Sequence, residues 1–264
     1  MNISVILNAH NDSELVLDSL DAIRTYVSDQ IEVVIDGARW EWGSKLALPA
    51  YKTRGFIHAA AKSPYKNIVL GLMIAAERWD SDWYCYCEPD VLFTSDAFKT
   101  DLQAAADQGI WAIGNDHRVR DVTFPLIEHM LKLEFRCSRY LLGCCVFYKR
   151  ELIKKLQEID FFEKFLHLTS PFYNGFFPGF REQGGYDIAE HIFPTLAYQF
   201  GGKVAQFADW DSVTETWSGY YEKYPMRWQP DIEEFFPNAT IIHPLKDYDS
   251  PLRNYYREVR DTYS

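Results

Sequence analysis

Residues 83–93 read Trp83-Tyr84-Cys85-Tyr86-Cys87-Glu88-Pro89-Asp90-Val91-Leu92-Phe93, changing from apolar to acidic and back to apolar. The first five residues put hydrophobic side chains on both alternating faces. This pattern is typical of a central strand in a parallel sheet that is covered on both sides. Proline has no amide hydrogen to donate to a neighbouring strand, so we expect strand pairing to end before Pro89. The stretch therefore predicts a buried strand with two carboxylates, Glu88 and Asp90, at its carboxyl end.

The position of these two carboxylates suggests a cation site. In open α/β sheets, ligands bind at the carboxyl ends of the strands. Two carboxylates one residue apart repel each other unless a cation lies between them, and Mg²⁺ and Mn²⁺ prefer oxygen ligands. The alternative is a strand that is followed by a solvated acidic turn.

Length and composition limit the possible classes of protein. The 264 residues are enough for one large α/β domain or two small ones. The net charge of -11 argues against a nucleic-acid-binding protein, although it allows a local basic pocket for phosphates. We find no apolar run long enough to span a bilayer, and the N-terminus lacks the basic region and cleavage site of a signal peptide.

The five cysteines are odd in number and lack the paired C-x-x-C spacing of a zinc site. We expect reduced, mostly buried thiols in a cytoplasmic protein.

Strand-like and helix-like segments alternate along most of the chain. Strands are predicted at 3–7, 31–35, 56–58, 83–87, 110–113, 141–148 and 239–242. Helices are predicted at 13–27, 67–79, 95–107, 151–159 and 187–200. This alternation predicts one α/β domain over residues 1–264.

The second half of the chain is rich in aromatic residues. Residues 161–180 are interrupted by proline and glycine and are expected to form a long aromatic loop, and residues 206–237 show little periodicity. The aromatic rings would pack a small lobe, line a carbohydrate cleft, or touch a membrane that holds a lipid-linked acceptor. We favour packing together with some acceptor contacts.

Three arginines, Arg253, Arg257 and Arg260, recur at helical spacing near the C-terminus. They would form either a solvated face that pairs with Glu258 and Asp261, or a stripe that attaches weakly to anionic lipid.

In its order of parts, the chain resembles the nucleotide-sugar glycosyltransferases of the GT-A fold, of the inverting D-x-D type. The resemblance covers residues 3 to about 115 and is looser to Ile159. It implies a mostly parallel central sheet flanked by helices, with an aromatic-rich lobe on the acceptor side. Residues 1–115 would bind the nucleotide sugar. Residues 116–264 would bind the acceptor and supply a C-terminal metal-ligand strand.

The resemblance also implies a metal site for Mn²⁺ or Mg²⁺. Asp90 and His243 would be its ligands, with Glu88 near them, although Glu88 stands where the family has aspartate. Lys246 would contact the phosphates of the donor. A divalent cation suits this chemistry because negative charge develops on the leaving nucleoside diphosphate. The alternative for His243 is an extended residue before proline that packs on the surface.

The resemblance also implies residues that contact the donor. They come after each of the first two strands and before the central strand. Asn8 and His10 belong to a polar turn, Asp36 would contact the nucleoside, and Asn67 begins a helix. Asp36 followed by glycine is also ordinary turn chemistry. Trp40 and Trp42 would either stack on the base or be buried in the core. Arg54 and Lys66 would either contact the diphosphate or be ordinary surface charges. The expected donor is a UDP- or GDP-sugar.

An inverting transferase needs a carboxylate to accept the proton of the acceptor hydroxyl. The family places it near a helix start, which here implies Asp187, with Glu190 supporting it and Glu182 in reserve. Asp187 and Glu190 lie on one helical face, and Gly184 and Gly185 would allow close approach of a substrate. The alternative is a capping box without catalysis.

The predicted function is sugar transfer to a glycan or lipid-linked acceptor, with no nucleic acid involved and at most peripheral membrane contact. One alternative is a sugar-phosphate nucleotidyltransferase. It is disfavoured because residues 8–12 contain no glycine, whereas such enzymes bind phosphate on a glycine-rich loop. The other alternative is a non-catalytic carbohydrate-binding protein of the same fold.

Overall fold

A computed structural model describes residues 1–9, 13–36, 50–53, 64–120, 124–135, 137–168, 188–211, 216–219 and 221–262. The strands are β1 (Ile3–Ala9), β2 (Ile31–Asp36), β3 (Ala50–Thr53), β4 (Trp83–Cys87), β5 (Leu92–Phe93), β6 (Ile110–Arg120), β7 (Ser138–Lys149), β8 (Lys203–Gln206), β9 (Ala208–Asp211), β10 (Thr216–Gly219) and β11 (Ile241–Ile242). The helices are α1 (Ser13–Tyr26), α2 (Pro64–Arg78), α3 (Phe98–Asp107), α4 (Pro125–Leu131), α5 (Arg150–Glu158), α6 (Phe161–Leu168), α7 (Ile188–Gln199) and α8 (Pro251–Asp261).

Seven strands form the central sheet in the order β3-β2-β1-β4-β7-β6-β8. β7 is antiparallel to both of its neighbours, and the other neighbouring pairs are parallel. The predicted α/β class, with a mostly parallel central sheet between helices, is therefore confirmed.

β4 lies in the middle of this sheet, and all five of its residues are buried. Trp83 and Cys85 pack into a core with residues of α1 and α3, whereas Tyr84 and Tyr86 pack into a second core with residues of α2 and α7. A strand between two cores has no polar face, which explains its continuous apolar sequence.

Two further sheets have two strands each. β5 pairs antiparallel with β11, with Leu92 opposite Ile242 and Phe93 opposite Ile241. β9 pairs antiparallel with β10. The first pairing joins the segment after Asp90 to the segment before His243.

Parts of the predicted element order need correction. Residues 161–168 form helix α6 rather than a loop, because Phe161 and Phe165 lie four residues apart and stack with ring centroids 5.6 Å apart in the second core. Asn8 is a buried strand residue rather than part of a turn, since pairing with β2 continues to Ala9. A strand occurs at 50–53, and the one predicted at 56–58 lies outside the described residues.

The interpretation of the C-terminal arginines as a solvated face was wrong. Arg253 and Arg260 are buried, and both bind the carboxylate of Asp18 in α1. Arg257 binds the same carboxylate from a more exposed position. The guanidinium groups are thus directed towards α1, which removes the basis for attachment to anionic lipid. Among the described residues, no helix combines the length and apolar character needed to cross a membrane.

Candidate metal and catalytic site

The two acidic residues lie in a turn directly after β4. The amide of Glu88 still donates to the carbonyl of Cys144 in β7 at 3.0 Å, so Glu88 is anchored to the sheet. The amide of Val91 donates back to the carbonyl of Glu88 at 3.1 Å and closes the turn. The Glu88 and Asp90 side chains therefore start from a constrained backbone at the carboxyl end of a central strand.

The chain returns to this turn from the C-terminal side. β11 pairs with β5, and the amide of Leu245 donates to the carbonyl of Asp90 at 2.9 Å. On its other side, His243 forms a parallel bridge with Met226. This local pairing places His243 beside Asp90.

The orientation of the His243 ring follows from one hydrogen bond. The Nδ1 atom lies 2.8 Å from the carbonyl oxygen of Arg227, and a carbonyl oxygen only accepts hydrogen bonds, so Nδ1 carries the proton and donates. The Nε2 atom then faces the Asp90 carboxylate, 3.5 Å from Oδ2. A histidine whose second nitrogen donates to a carbonyl is the usual arrangement of a metal ligand.

Glu88, Asp90 and His243 together fit a divalent cation. One ligand atom from each lies within 4.8 Å of the others. The Oδ1 atom of Asp90 is buried and has no hydrogen-bond partner among the described residues, which is costly for a carboxylate oxygen without a cation. Two carboxylates and an imidazole are suitable ligands for Mn²⁺ or Mg²⁺.

Burial and neighbouring charges shift the pKa values of Glu88 and Asp90 in opposite directions. Burial, reinforced by the charges of Asp90 and Glu190, raises the pKa of Glu88 to about 8, against a smaller opposing effect of Lys246. Burial also favours a higher pKa for Asp90, but the hydrogen bond and charge of His243 and the charge of Lys246 outweigh it and lower that pKa. Lys246 is exposed and is near enough to act on both carboxylates.

Glu190 in α7 belongs to the same acidic cluster. Its Oε1 atom accepts a hydrogen bond from the amide of Gly143 in β7 at 3.1 Å. A Cβ atom at Gly143 would lie 2.7 Å from Cγ of Glu190, so the absence of a side chain allows this close approach. The predicted supporting carboxylate is thus brought next to Glu88, which is consistent with its electrostatic effect there.

The predicted donor contacts are described only in part. The amide group of Asn8 donates to the hydroxyl of Tyr86 at 3.1 Å, inside the sheet. Asp36 is the last residue of β2 and Asn67 lies in the first turns of α2, but the structure does not describe their side chains. Several predicted residues lie outside the described residues: His10, Trp40, Trp42, Arg54, Glu182 and Asp187.

Sequence analysis missed three groups that support the site. The Arg227 carbonyl orients His243, and the buried side chain of Asn115 donates to the carbonyls of Tyr224 and Met226 at 3.0 and 3.2 Å. Arg253 contacts the acidic turn itself. A backbone carbonyl has no sequence signal. Asn115 is followed in β6 by Asp116, His117 and Arg118, so the sequence did not distinguish it from its polar neighbours.

Comparison with known proteins gives similarity in structure only. No sequence-family model matches the chain, and no curated protein sequence matches it. The solved structures that resemble it in part include glycosyltransferases.

GlyE, a glycosyltransferase of Streptococcus pneumoniae TIGR4, is 11% identical, with a TM-score of 0.49 over 98% of this chain and 60% of that one. The mannosyltransferase PcManGT from Pyrobaculum calidifontis, in complex with GDP-Man and Mn²⁺, is 18% identical, with a TM-score of 0.37 over 59% of this chain and 46% of that one. A CMP:2-keto-3-deoxy-manno-octonic acid synthetase complexed with CTP is 11% identical, with a TM-score of 0.39 over 78% of this chain and 89% of that one. This chain thus spans less than two thirds of both glycosyltransferases. The likeness is partial, and conclusions about activity depend on the site itself.

Proposed function

We propose that this protein is a metal-dependent glycosyltransferase that moves a sugar from a nucleoside diphosphate donor to an acceptor hydroxyl. The observation that carries the proposal is the convergence of Glu88, Asp90 and His243 at the carboxyl end of β4. The buried, unpartnered Oδ1 atom of Asp90 supports it further, because this atom needs a positive partner.

The residues of the site have distinct roles in this proposal. Asp90 and His243 hold the divalent cation, with Glu88 near it. A cation bound there would stabilise the negative charge of the departing nucleoside diphosphate. Lys246, exposed and close to both carboxylates, binds the phosphates of the donor.

The nucleoside end of the donor is assigned to residues 1–115. Asn8 and Asp36 lie at or near the carboxyl ends of β1 and β2, at the edge of the sheet where α/β proteins bind ligands. His10 and Asn67 complete the proposed set. UDP- and GDP-sugars are the donors to test first.

The acceptor is assigned to residues 116–264 and is proposed to be a glycan or a lipid-linked sugar. Trp228 is 68% exposed, and it directly follows Arg227, whose carbonyl orients His243. An exposed indole beside the site suits stacking against the C–H face of a sugar. Asp187 is the proposed base for the acceptor hydroxyl. Glu190, held by the amide of Gly143, supports it.

Calorimetry with UDP and GDP, with and without Mn²⁺, tests this function. We expect tight nucleotide binding only with the metal, followed by sugar transfer from a UDP- or GDP-sugar that EDTA abolishes. Full transfer in EDTA would contradict the role of the metal. Pyrophosphate release from a nucleoside triphosphate and a sugar phosphate would indicate a nucleotidyltransferase. Sugar binding without any turnover would indicate a carbohydrate-binding protein.

A further inference from the structure

We infer that Arg253 is a positioning residue that sets the separation between the acidic turn and the His243 segment, and thereby the affinity for a divalent cation. The inference rests on the proposed metal site. The acidic turn is defined as residues 88–91, and the His243 segment as residues 243–246.

One nitrogen of Arg253 joins these two segments. Nη2 donates to the carbonyl of Pro89 at 3.2 Å and to the carbonyl of Leu245 at 3.1 Å. Pro89 lies between the two acidic residues of the turn, and Leu245 lies two residues after His243. A single guanidinium group therefore bridges the acidic turn and the His243 segment, which carry the candidate metal ligands.

The guanidinium group is itself held in place. Arg253 is 0% exposed, and its Nη1 atom lies 2.5 Å from Oδ2 of Asp18, whose side chain is 2% exposed. Asp18 belongs to α1, which packs in the core next to the central sheet. The neighbouring Ser19 also donates to the carbonyl of Pro89, at 2.5 Å. The acidic turn is thus held in place by Ser19 of helix α1 and by Arg253, which is bound to that helix, rather than by a loop.

The other links between the two segments within the described residues are few. They are the hydrogen bond from Leu245 to the Asp90 carbonyl and the contact of His243 Nε2 with the Asp90 carboxylate. The two-residue pairing of β5 with β11 adds to them just outside the two segments. Removing the guanidinium group would take away the Arg253 donor of the Leu245 carbonyl and leave the Pro89 carbonyl with the Ser19 hydroxyl as a donor. The two segments would then lose the group that joins them and relax apart.

Arginine suits this position better than lysine. Its planar group presents several donors in fixed directions, so it can bind Asp18 and both carbonyls at once. A lysine ammonium retains the charge near Asp18 but is a single point of attachment. Arg253→Lys should therefore keep much of the ion pair while losing part of the link between the segments.

Arg257 offers a matched control. It lies one turn further along α8 and also binds the Asp18 carboxylate, at 3.2 Å. Its remaining hydrogen bonds in the described part of the chain go to Asn254 and to the carbonyl of Tyr248, and neither belongs to the acidic turn or the His243 segment. Arg257→Met therefore weakens the same network without touching the metal site.

The first measurement is Mn²⁺ binding to the full chain by calorimetry, with the melting temperature recorded for every variant. We expect Arg253→Met to weaken Mn²⁺ binding by about 10–100-fold, the range seen when groups behind metal ligands are removed. Arg253→Lys should give an intermediate value, and Arg257→Met should bind like the wild type. If Arg253→Met does not fold, Arg253→Lys decides. Wild-type affinity in both Arg253 variants would overturn the inference.

The second measurement needs no metal. The exchange rate of the Leu245 amide hydrogen reports on its bond to the Asp90 carbonyl, so it should increase in the Arg253 variants and not in Arg257→Met, with amides of β1 as the internal reference. If the wild type binds no Mn²⁺, the proposed function fails, and amide exchange alone decides whether Arg253 holds the two segments together. Unchanged exchange at Leu245 would overturn that role.

Discussion

The Nε2 atom of His243 lies 3.5 Å from the Oδ2 atom of Asp90, while the opposite ring nitrogen donates to the Arg227 carbonyl. Because Nδ1 holds one proton, Nε2 either carries a second proton and pairs with Asp90 or directs its lone pair at a cation. In the second case, two electron-pair donors converge on one point. This relationship makes the pair the core of the candidate metal site.

Asp90→Ala should abolish Mn²⁺ binding and with it the metal-dependent binding of nucleotide. The fold should persist, because Oδ1 has no hydrogen-bond partner in the described residues and the His243 ring opposite Oδ2 keeps its bond to the Arg227 carbonyl. Mn²⁺ titration and a circular dichroism spectrum check both statements. Asp249→Ala, which removes an exposed carboxylate six residues after His243 in the sequence, is the control and should bind like the wild type. Retained Mn²⁺ affinity in Asp90→Ala would place the metal elsewhere.

Gly143→Ala should reduce turnover while leaving donor binding intact. The new Cβ atom would lie 2.7 Å from Cγ and 3.0 Å from Oε1 of Glu190, so the carboxylate has to move. Misplacing a group at a reacting centre by about 1 Å costs up to about 10²-fold in rate. Steady-state kinetics with donor and acceptor varied separately measure this. Glu190→Gln can still accept the Gly143 hydrogen bond, so its turnover shows how much of the rate depends on the charge of the carboxylate. Normal turnover in both variants would leave Glu190 with a purely structural role.

Asp187→Asn tests the proposed base. Asparagine keeps most of the ability to cap a helix but cannot accept the proton, so turnover should fall by about 10²–10⁴-fold with an unchanged Michaelis constant for the donor. The comparison variant is Asp187→Ala, which loses both functions. If Asp187→Asn turns over normally while Asp187→Ala only lowers the melting temperature, the residue is a helix cap.

The Asp18 network predicts a loss of stability in acid. Burial alone would raise the pKa of Asp18, but the hydrogen bonds and charges of Arg260 and Arg253 outweigh it and hold that pKa below its ordinary value of 3.8. A lowered pKa in the folded state stabilises the protein fully above the unfolded-state pKa, and this stabilisation is lost as the pH falls through the folded-state pKa. We therefore expect the free energy of unfolding to decrease below about pH 4.

Asp18→Asn isolates this contribution. At pH 7 the variant should be less stable by about 3–5 kcal/mol, because it leaves buried arginines without their charge partner. Urea denaturation over a pH series should show the difference from the wild type narrowing in acid, since the wild type alone loses the ion pair. Parallel curves for the two proteins would show that Asp18 does not titrate in the unfolding transition.

The central strand and its acidic end were predictable from the sequence alone. A strand buried on both faces must be apolar at every position, and this constraint is visible in residues 83–87 without any partner. Pro89 marks the end of pairing for an equally local reason. His243 was proposed as a metal ligand only through the family resemblance, and its convergence with Asp90 depends on the β5–β11 pairing.

Local signals failed where a partner in the fold decides the structure. Helical spacing showed that Arg253, Arg257 and Arg260 share a face, but it contains no information about what that face contacts. The partner is Asp18, in a helix near the opposite end of the chain. Similarly, the aromatic residues of α6 were predicted to form a loop, because the core that buries Phe161 and Phe165 comes from other elements.

The sequence by itself determined the α/β class, the buried β4 strand and the chemical types of the site residues, because all of these depend on side-chain polarity along a local stretch. Only the tertiary structure decided which side chains meet. Three hydrogen bonds illustrate this, because each joins residues from different elements or segments. They run from His243 to the Arg227 carbonyl, from the Gly143 amide to Glu190, and from Arg253 to the Pro89 carbonyl. Such contacts depend on how the strands are ordered in the sheets and which helices pack on them, and no local pattern of residues encodes that order.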